Sequence, residues 1–259
     1  MRAVVSVATG RYVAGLDRLT EWCAANSEEY MTFRDRLPMG SPSHKDVPFA
    51  FKAYALTAAA TACDTLLWAD ACILPIKPLD KLWERIERDG YWIGSQAGPE
   101  PDKGYTNYEW TADSAYLDLF PQWQHNEGGD NYASAKAANR DIPHVVATTF
   151  GLSIAHPTGR AILDEYFRLA STTKAFCGPW TNAGYADQPR GTQRSIDDPR
   201  YQLCGPPDVR GHRHDQSCLS VIAWRLGCKL TRWPEVFAYR GHEDERTILV
   251  ADSAYWIKQ

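Results

Sequence analysis

The 259-residue sequence predicts a single-domain α/β fold with a mostly parallel central sheet flanked by helices, and three observations predict it. Over residues 1–95, short apolar runs alternate with segments of helical periodicity. Two of these runs, Ala3 to Ala8 and Thr65 to Ala69, pass directly into polar residues, as buried parallel strands do before a binding loop. No internal repeat and no apolar stretch of membrane-spanning length breaks the pattern. A chain of this length can bury one large core without dividing.

Each element follows from local residues. After the first strand and Thr9-Gly10, Gly15 to Ala25 places Leu16, Leu19 and Cys23 on one helical face. Residues 27–47 are polar and contain Pro38, Gly40 and Pro42, which predicts a loop. Pro48 opens an Ala-rich helical stretch to Cys63, Thr65 to Ala69 is a strand, and Leu79, Leu82, Trp83 and Ile86 repeat at helical spacing after Pro78. Trp92 to Ser95 reads as the next strand, so the first 95 residues form two βα units.

Residues 96–144 are polar and rich in Gly, Tyr and Trp, with a weak helical patch at Ala115 to Phe120. Val145 to Ala155 is apolar again. Pro157 to Ala170 is a helix with Ile162, Leu163 and Tyr166 inward. Residues 175–214 hold five Gly and five Pro without periodicity, as functional lids and binding segments do. Gln216 to Leu226 is an amphipathic helix, followed by short strands near Lys229 to Arg232 and Val236 to Tyr239.

Composition narrows the function. A net charge of −4 gives no global attraction for nucleic acid or anionic membrane, so a polyanion needs a local basic patch. Seven cysteines without a Cys-x-x-Cys pair argue against a disulfide framework or structural zinc, and for a reducing compartment. The first apolar run is too short for a signal peptide, so a cytoplasmic protein is expected. Ten Trp and thirteen Tyr supply core volume and faces on which bases or sugars can stack.

Three segments carry titratable groups at informative places. Asp70 closes the apolar strand Thr65 to Ala69, at the sheet edge where open α/β folds bind ligands; it is either a cation-holding carboxylate or the cap of the following turn. His212-Arg213-His214-Asp215-Gln216-Ser217 precedes the amphipathic helix, with Asp215 a candidate N-cap as well as a candidate acid or base. His242, after a short strand, is a surface residue unless it partners Asp70, since one carboxylate cannot hold a metal alone.

Together, Val4 to Thr9, Pro48-Phe49-Ala50-Phe51-Lys52, Leu67-Trp68-Ala69-Asp70-Ala71-Cys72, His214-Asp215-Gln216-Ser217 and His242 resemble a GT-A type nucleotide-sugar glycosyltransferase, in that family's order and over nearly the whole chain. The resemblance implies a Rossmann-like GT-A fold as one glycosyltransferase domain over 1–259, with a nucleotide-sugar-binding half at 1–95 and an acceptor-side half with long loop insertions at 96–259. It places Thr9, Tyr12 and Lys52 near the nucleotide, Asp70 as the first acid of the Asp-x-Asp motif, and Arg213 and His214 on the donor side. Asp215 becomes the catalytic acid beside donor and acceptor, and Asp70 with His242 the ligands of Mn²⁺ or Mg²⁺. The second acid of the motif is Cys72 here, and a thiol is a poor ligand for such ions. Metal binding then rests on Asp70, His242, phosphate and water, or else Lys52 or Arg213 replaces the cation.

The implied reaction moves a hexose or pentose from a nucleotide-diphosphate sugar, with a UDP-sugar favoured, onto a hydroxyl. Candidate acceptors are a glycan or a hydroxymethylated base in DNA. For the latter, Arg190, Arg194, Arg200, Arg210 and Arg213 interleave with Trp180, Tyr185 and Tyr201. Asp187, Asp197, Asp198 and Asp208 nearly balance that charge, which favours a solvated lid. Tyr105, Tyr108 and Trp110 are open to the same two readings. Competing classes are a metal-dependent hydrolase using Asp70, His212, His214 and His242, and a non-catalytic nucleotide-sugar or carbohydrate-binding protein.

Overall fold

The computed structural model describes residues 1–96, 106–120, 140–180, 204–205, 208–252 and 254. Tyr105, Tyr185, Arg190, Arg194, Arg200, Tyr201 and the acids Asp187, Asp197 and Asp198 lie outside them. A five-stranded sheet runs in the order β2-β1-β3-β6-β5. Its strands are β1 (Arg2–Ala8), β2 (Tyr30–Arg34), β3 (Thr65–Ala69), β5 (Tyr91–Ser95) and β6 (Val145–Ser153). β1 pairs in parallel with β2 and β3, whereas β6 is antiparallel to both β3 and β5. Four of the five strands therefore share one direction, and their carboxyl ends bring Thr9, Asp35, Asp70 and Gln96 to one edge.

A second sheet, β4-β8-β7, joins Ile73–Pro75, Leu249–Ala251 and Phe237–Tyr239. The sequence predicts only the last of these; Leu249–Ala251 is too short to show a period. The strand expected at Lys229 to Arg232 reduces to one bridge, Thr231 to Gly94. The loop expected over 27–47 contains β2, whose residues are exposed or half-buried. An edge strand flanked by Glu28, Glu29 and Asp35 carries the charges that protect an open edge, and these hide its apolar alternation.

Strand alternation sorts the core into two layers. Val5, Leu66, Trp68, Ile93 and Phe150 pack on one face against α2 (Phe51–Ala59), α5 (Pro157–Thr172) and α6 (Asp215–Arg225). Val4, Leu67 and Trp92 pack on the other against α1 (Val13–Ala25), α3 (Asp80–Asp89) and the small sheet. The helix α4 (Asp113–Leu119) covers the weak patch read from sequence. Trp68, Trp83 and Trp92 are fully buried, each side chain of this size contributing about 1.5–3 kcal/mol or more.

α3 ends at Gly90 with φ +85°, a left-handed conformation open to glycine. A Cβ there would lie 2.2 Å from His156 Nδ1, which itself accepts from Thr158 N to cap α5. The tight turn thus seats the first residues of the helix that carries Tyr166 to the site.

Candidate active site

The site is assembled where the strands end. β3 delivers Asp70, α2 delivers Lys52 and the first turn of α6 delivers Asp215. The Lys52 ammonium lies 3.0 Å from Asp70 Oδ1 and 2.9 Å from Asp215 Oδ2, and donates to the Ala147 carbonyl at 2.9 Å. An ammonium has three protons. All three are used, and the third acceptor belongs to the rigid strand β6. The Lys52 side chain is 3% exposed and that of Asp215 6%, whereas Asp70 is 25% exposed and forms the open side of the cluster.

Further contacts fix the carboxylates. Trp68 Nε1 donates to Asp70 Oδ1 at 2.8 Å, and the Tyr166 hydroxyl donates to Asp215 Oδ2 at 3.4 Å. Sequence reading assigned neither residue to the site, although both carry a signal. Trp68 and Asp70 stand two apart and face the same way in an extended chain. Tyr166 lies on the inward face of its helix, where a buried hydroxyl needs a partner.

Burial pushes the Asp215 carboxyl up to about 6, the attraction of Lys52 opposing it only in part. Burial also raises Asp70 against the pull of Lys52 and the Trp68 hydrogen bond. Burial alone would lower Lys52, but Asp215 and Asp70 together hold it above its ordinary value. With both acids ionised the cluster carries one net negative charge; one proton on Asp215 makes it neutral.

The expected N-cap role of Asp215 is not found. Asp215 is the first residue of α6; His214 takes the cap position without a side-chain cap bond. Arg213 N donates to Ser217 Oγ at 3.2 Å, and the Asp215 carboxylate faces Lys52.

Two backbone outliers flank the ammonium. Phe49 has φ +60° and His214 has φ +49°, and their rings lie 5.7 Å apart. Lys52 Nζ is 5.2 Å from the Phe49 ring. Each such non-glycine conformation costs of order 1–3 kcal/mol and persists only where its surroundings enforce it, as at functional sites.

A stack of rings and guanidinium groups leads outward from this point. Trp180 stacks on His214 at 5.5 Å, Arg213 lies 4.3 Å from Trp180 and 4.0 Å from Trp110, and Arg210 covers Trp110 at 5.5 Å. Arg213 is therefore sandwiched between two indoles, with Nη1 donating to the Trp180 carbonyl. These aromatic faces are already engaged inside the protein.

The histidines have separate fates. His212 is buried between Ala112 N and the Ala175 carbonyl, and burial lowers it to about 3, so it is a neutral structural residue. His214 contacts the Phe176 carbonyl through Nδ1, which must carry the proton, and its buried Nε2 has no partner among the described residues. His242 lies on an exposed turn against Trp233, with ring centroids 5.8 Å apart. Thr9 and Tyr12 are exposed at the end of β1, where Gly10 N donates to Asp35 Oδ1. Asp35, brought there by the unexpected β2, is an edge residue within the stretch that the sequence predicts as a loop.

The donor set does not fit a divalent cation. Among the described residues no group of three or more His, Cys, Asp or Glu is placed to hold a metal. Asp70 Oδ1 already accepts from Trp68 and lies against Lys52, and Cys72 offers a buried thiol where an oxygen is needed.

A cavity of about 610 Å³ lies at the opposite edge, lined among others by Arg2, Glu28, Glu29, Asp80, Trp83 and Glu87. Its four carboxylates disfavour a diphosphate there. No described helix is long and apolar enough to cross a membrane.

No protein-family model and no curated protein matches the sequence. Among solved structures, the chain is similar to a glycosyltransferase involved in glycosylation of the major capsid of PBCV-1, with TM-score 0.39 and 11% identity over 66% of this chain and 67% of that one. It is similar to mouse xyloside xylosyltransferase 1 in its apo form, with TM-score 0.44 and 9% identity over 100% of both chains. It is also similar to an active-site mutant of LgtC, with TM-score 0.31 and 14% identity over 90% of this chain and 98% of that one. These likenesses concern the path of the backbone.

Proposed function

We propose that the protein transfers a sugar from a nucleotide-diphosphate sugar to a hydroxyl acceptor. One observation carries the reading: two carboxylates from distant parts of the chain, Asp70 and Asp215, converge on one ammonium at the carboxyl edge of the sheet, where ligands of open α/β folds bind. The GT-A resemblance of the surrounding motifs supports the donor class.

Asp70, the exposed member, accepts hydrogen bonds from donor hydroxyls, with Thr9 and Tyr12 offering contacts to the nucleotide further along the edge. Asp215 receives the acceptor's proton as its oxygen bonds to the anomeric carbon and the diphosphate departs with the electron pair of the broken C–O bond. A carboxyl at about 6 is suited to that task, because a general base works best near the ambient pH. Lys52 and Tyr166 hold Asp215 in place and compensate its charge.

A panel of nucleotide sugars, beginning with uridine diphosphate hexoses and pentoses, against glycan and hydroxymethylated-DNA acceptors tests the proposal. Transfer that is lost in Asp215→Asn supports it. Binding without turnover on every acceptor would identify a sensing protein, and cleavage of simple phosphoesters without a sugar nucleotide would identify a hydrolase.

A further inference from the structure

We propose that Lys52 is the resident cation of this site: its ammonium occupies the position between Asp70 and Asp215 that a divalent ion would take, and the carboxylate pair binds no such ion while Lys52 is present. The inference goes beyond the proposed transfer and stands whatever the donor proves to be.

Three features carry it. The ammonium is shared by both acids at 2.9 and 3.0 Å, so one charge serves two carboxylates. Its third proton is bound to the Ala147 carbonyl, and the ammonium lies over the Phe49 and Trp68 rings, with Nζ 5.2 and 5.5 Å from their centroids. The side chain is 3% exposed.

The spacing of the oxygens fits an ammonium better than a metal. Mg²⁺ bonds oxygen at about 2.0–2.1 Å, and Ca²⁺ at about 2.3–2.6 Å. Both oxygens would have to close in by several tenths of an ångström or more around either ion. Trp68 and Tyr166, each bonded to one of the carboxylates, resist that movement. Charge points the same way. With Lys52 the ionised cluster is singly negative; without it, the buried Asp215 and the half-buried Asp70 face each other uncompensated, and a divalent ion is the simplest remedy.

The test is a Mn²⁺ titration of the full chain followed by electron paramagnetic resonance, in wild type, Asp70→Asn, His242→Ala, Lys52→Ala, Lys52→Met and the double variant Lys52→Ala/Asp70→Asn. The expected result is that wild-type Mn²⁺ binding is indifferent to Asp70→Asn. Lys52→Ala gains affinity by about tenfold or more, and the double variant loses the gain. Near-ultraviolet circular dichroism establishes that the variants are folded, and Lys52→Met, which keeps the apolar stem, replaces Lys52→Ala if the latter is not.

Micromolar Mn²⁺ binding by wild type that falls on Asp70→Asn or His242→Ala overturns the proposal. So does a folded Lys52→Ala or Lys52→Met that gains nothing. If neither variant folds, the comparison of wild type with Asp70→Asn decides alone. The probe is the metal itself, so a donor panel without transfer would leave this result intact.

Discussion

Asp215→Asn is expected to stabilise the protein at pH 8 while sharply lowering turnover. The carboxyl is buried, and its pKa lies at about 6 against an ordinary 3.8. Folding therefore binds its proton more tightly than the unfolded chain does. Stability is then greatest below the unfolded value, falls as pH rises from about 4 to about 6, and stays lower above that. At about 1.4 kcal/mol for each pH unit between the two values, the ionised carboxylate costs about 3 kcal/mol. Asparagine keeps the shape of the protonated acid and removes that cost. Urea or thermal unfolding of both proteins should show the variant more stable by about 3 kcal/mol at pH 8, about half of that near pH 5, about 0.5 kcal/mol at pH 4 and almost nothing at pH 3. For a chain of this size that is about 6 °C in Tm at pH 8. Turnover should fall by about 10²-fold or more, with donor affinity changed less. A variant less stable than wild type at pH 8, or a difference independent of pH, would show that the Lys52 ion pair outweighs burial and that Asp215 holds the fold rather than a proton.

Asp70→Ala should leave the far-ultraviolet circular dichroism unchanged and eliminate donor binding or transfer, since the exposed acid faces the ligand edge; unchanged donor affinity and rate would remove it from the site. Lys52→Met should cost about 3–5 kcal/mol in urea unfolding at pH 8, because it strands two carboxylates and the Ala147 carbonyl. That loss should shrink as pH falls and the acids take up protons, and a loss under about 1 kcal/mol would contradict the saturated ammonium. Gly90→Ala should lower stability by about 1 kcal/mol or more, from its positive φ and the overlap with His156, read as a fall in the urea midpoint; an unchanged midpoint would mean the turn relaxes freely.

Much of the frame was legible because its signals are local. The apolar runs of β1, β3, β5 and β6 are buried, and length and composition mark them as strands whatever lies beside them. Leu16, Leu19 and Cys23, or Leu82, Trp83 and Ile86, declare a helix and its inward face by spacing alone. β2 and β8 escaped notice for the opposite reason: one is a charged edge and the other three residues long, and each is a strand only because a neighbour supplies its hydrogen bonds.

The sequence by itself determined that Asp70 ends a buried strand and that Asp215 opens a helix, because strand and helix follow from residues within a few positions of each other. Only the tertiary structure decided that these two acids meet, 145 positions apart, on the ammonium of Lys52, and that the predicted cap is a buried carboxyl with a raised affinity for its proton. It likewise decided that His212 is spent on backbone groups and that Arg213 lies between two indoles. Charge pairing and desolvation act through space, and their strength depends on distance and burial that no stretch of chain encodes alone.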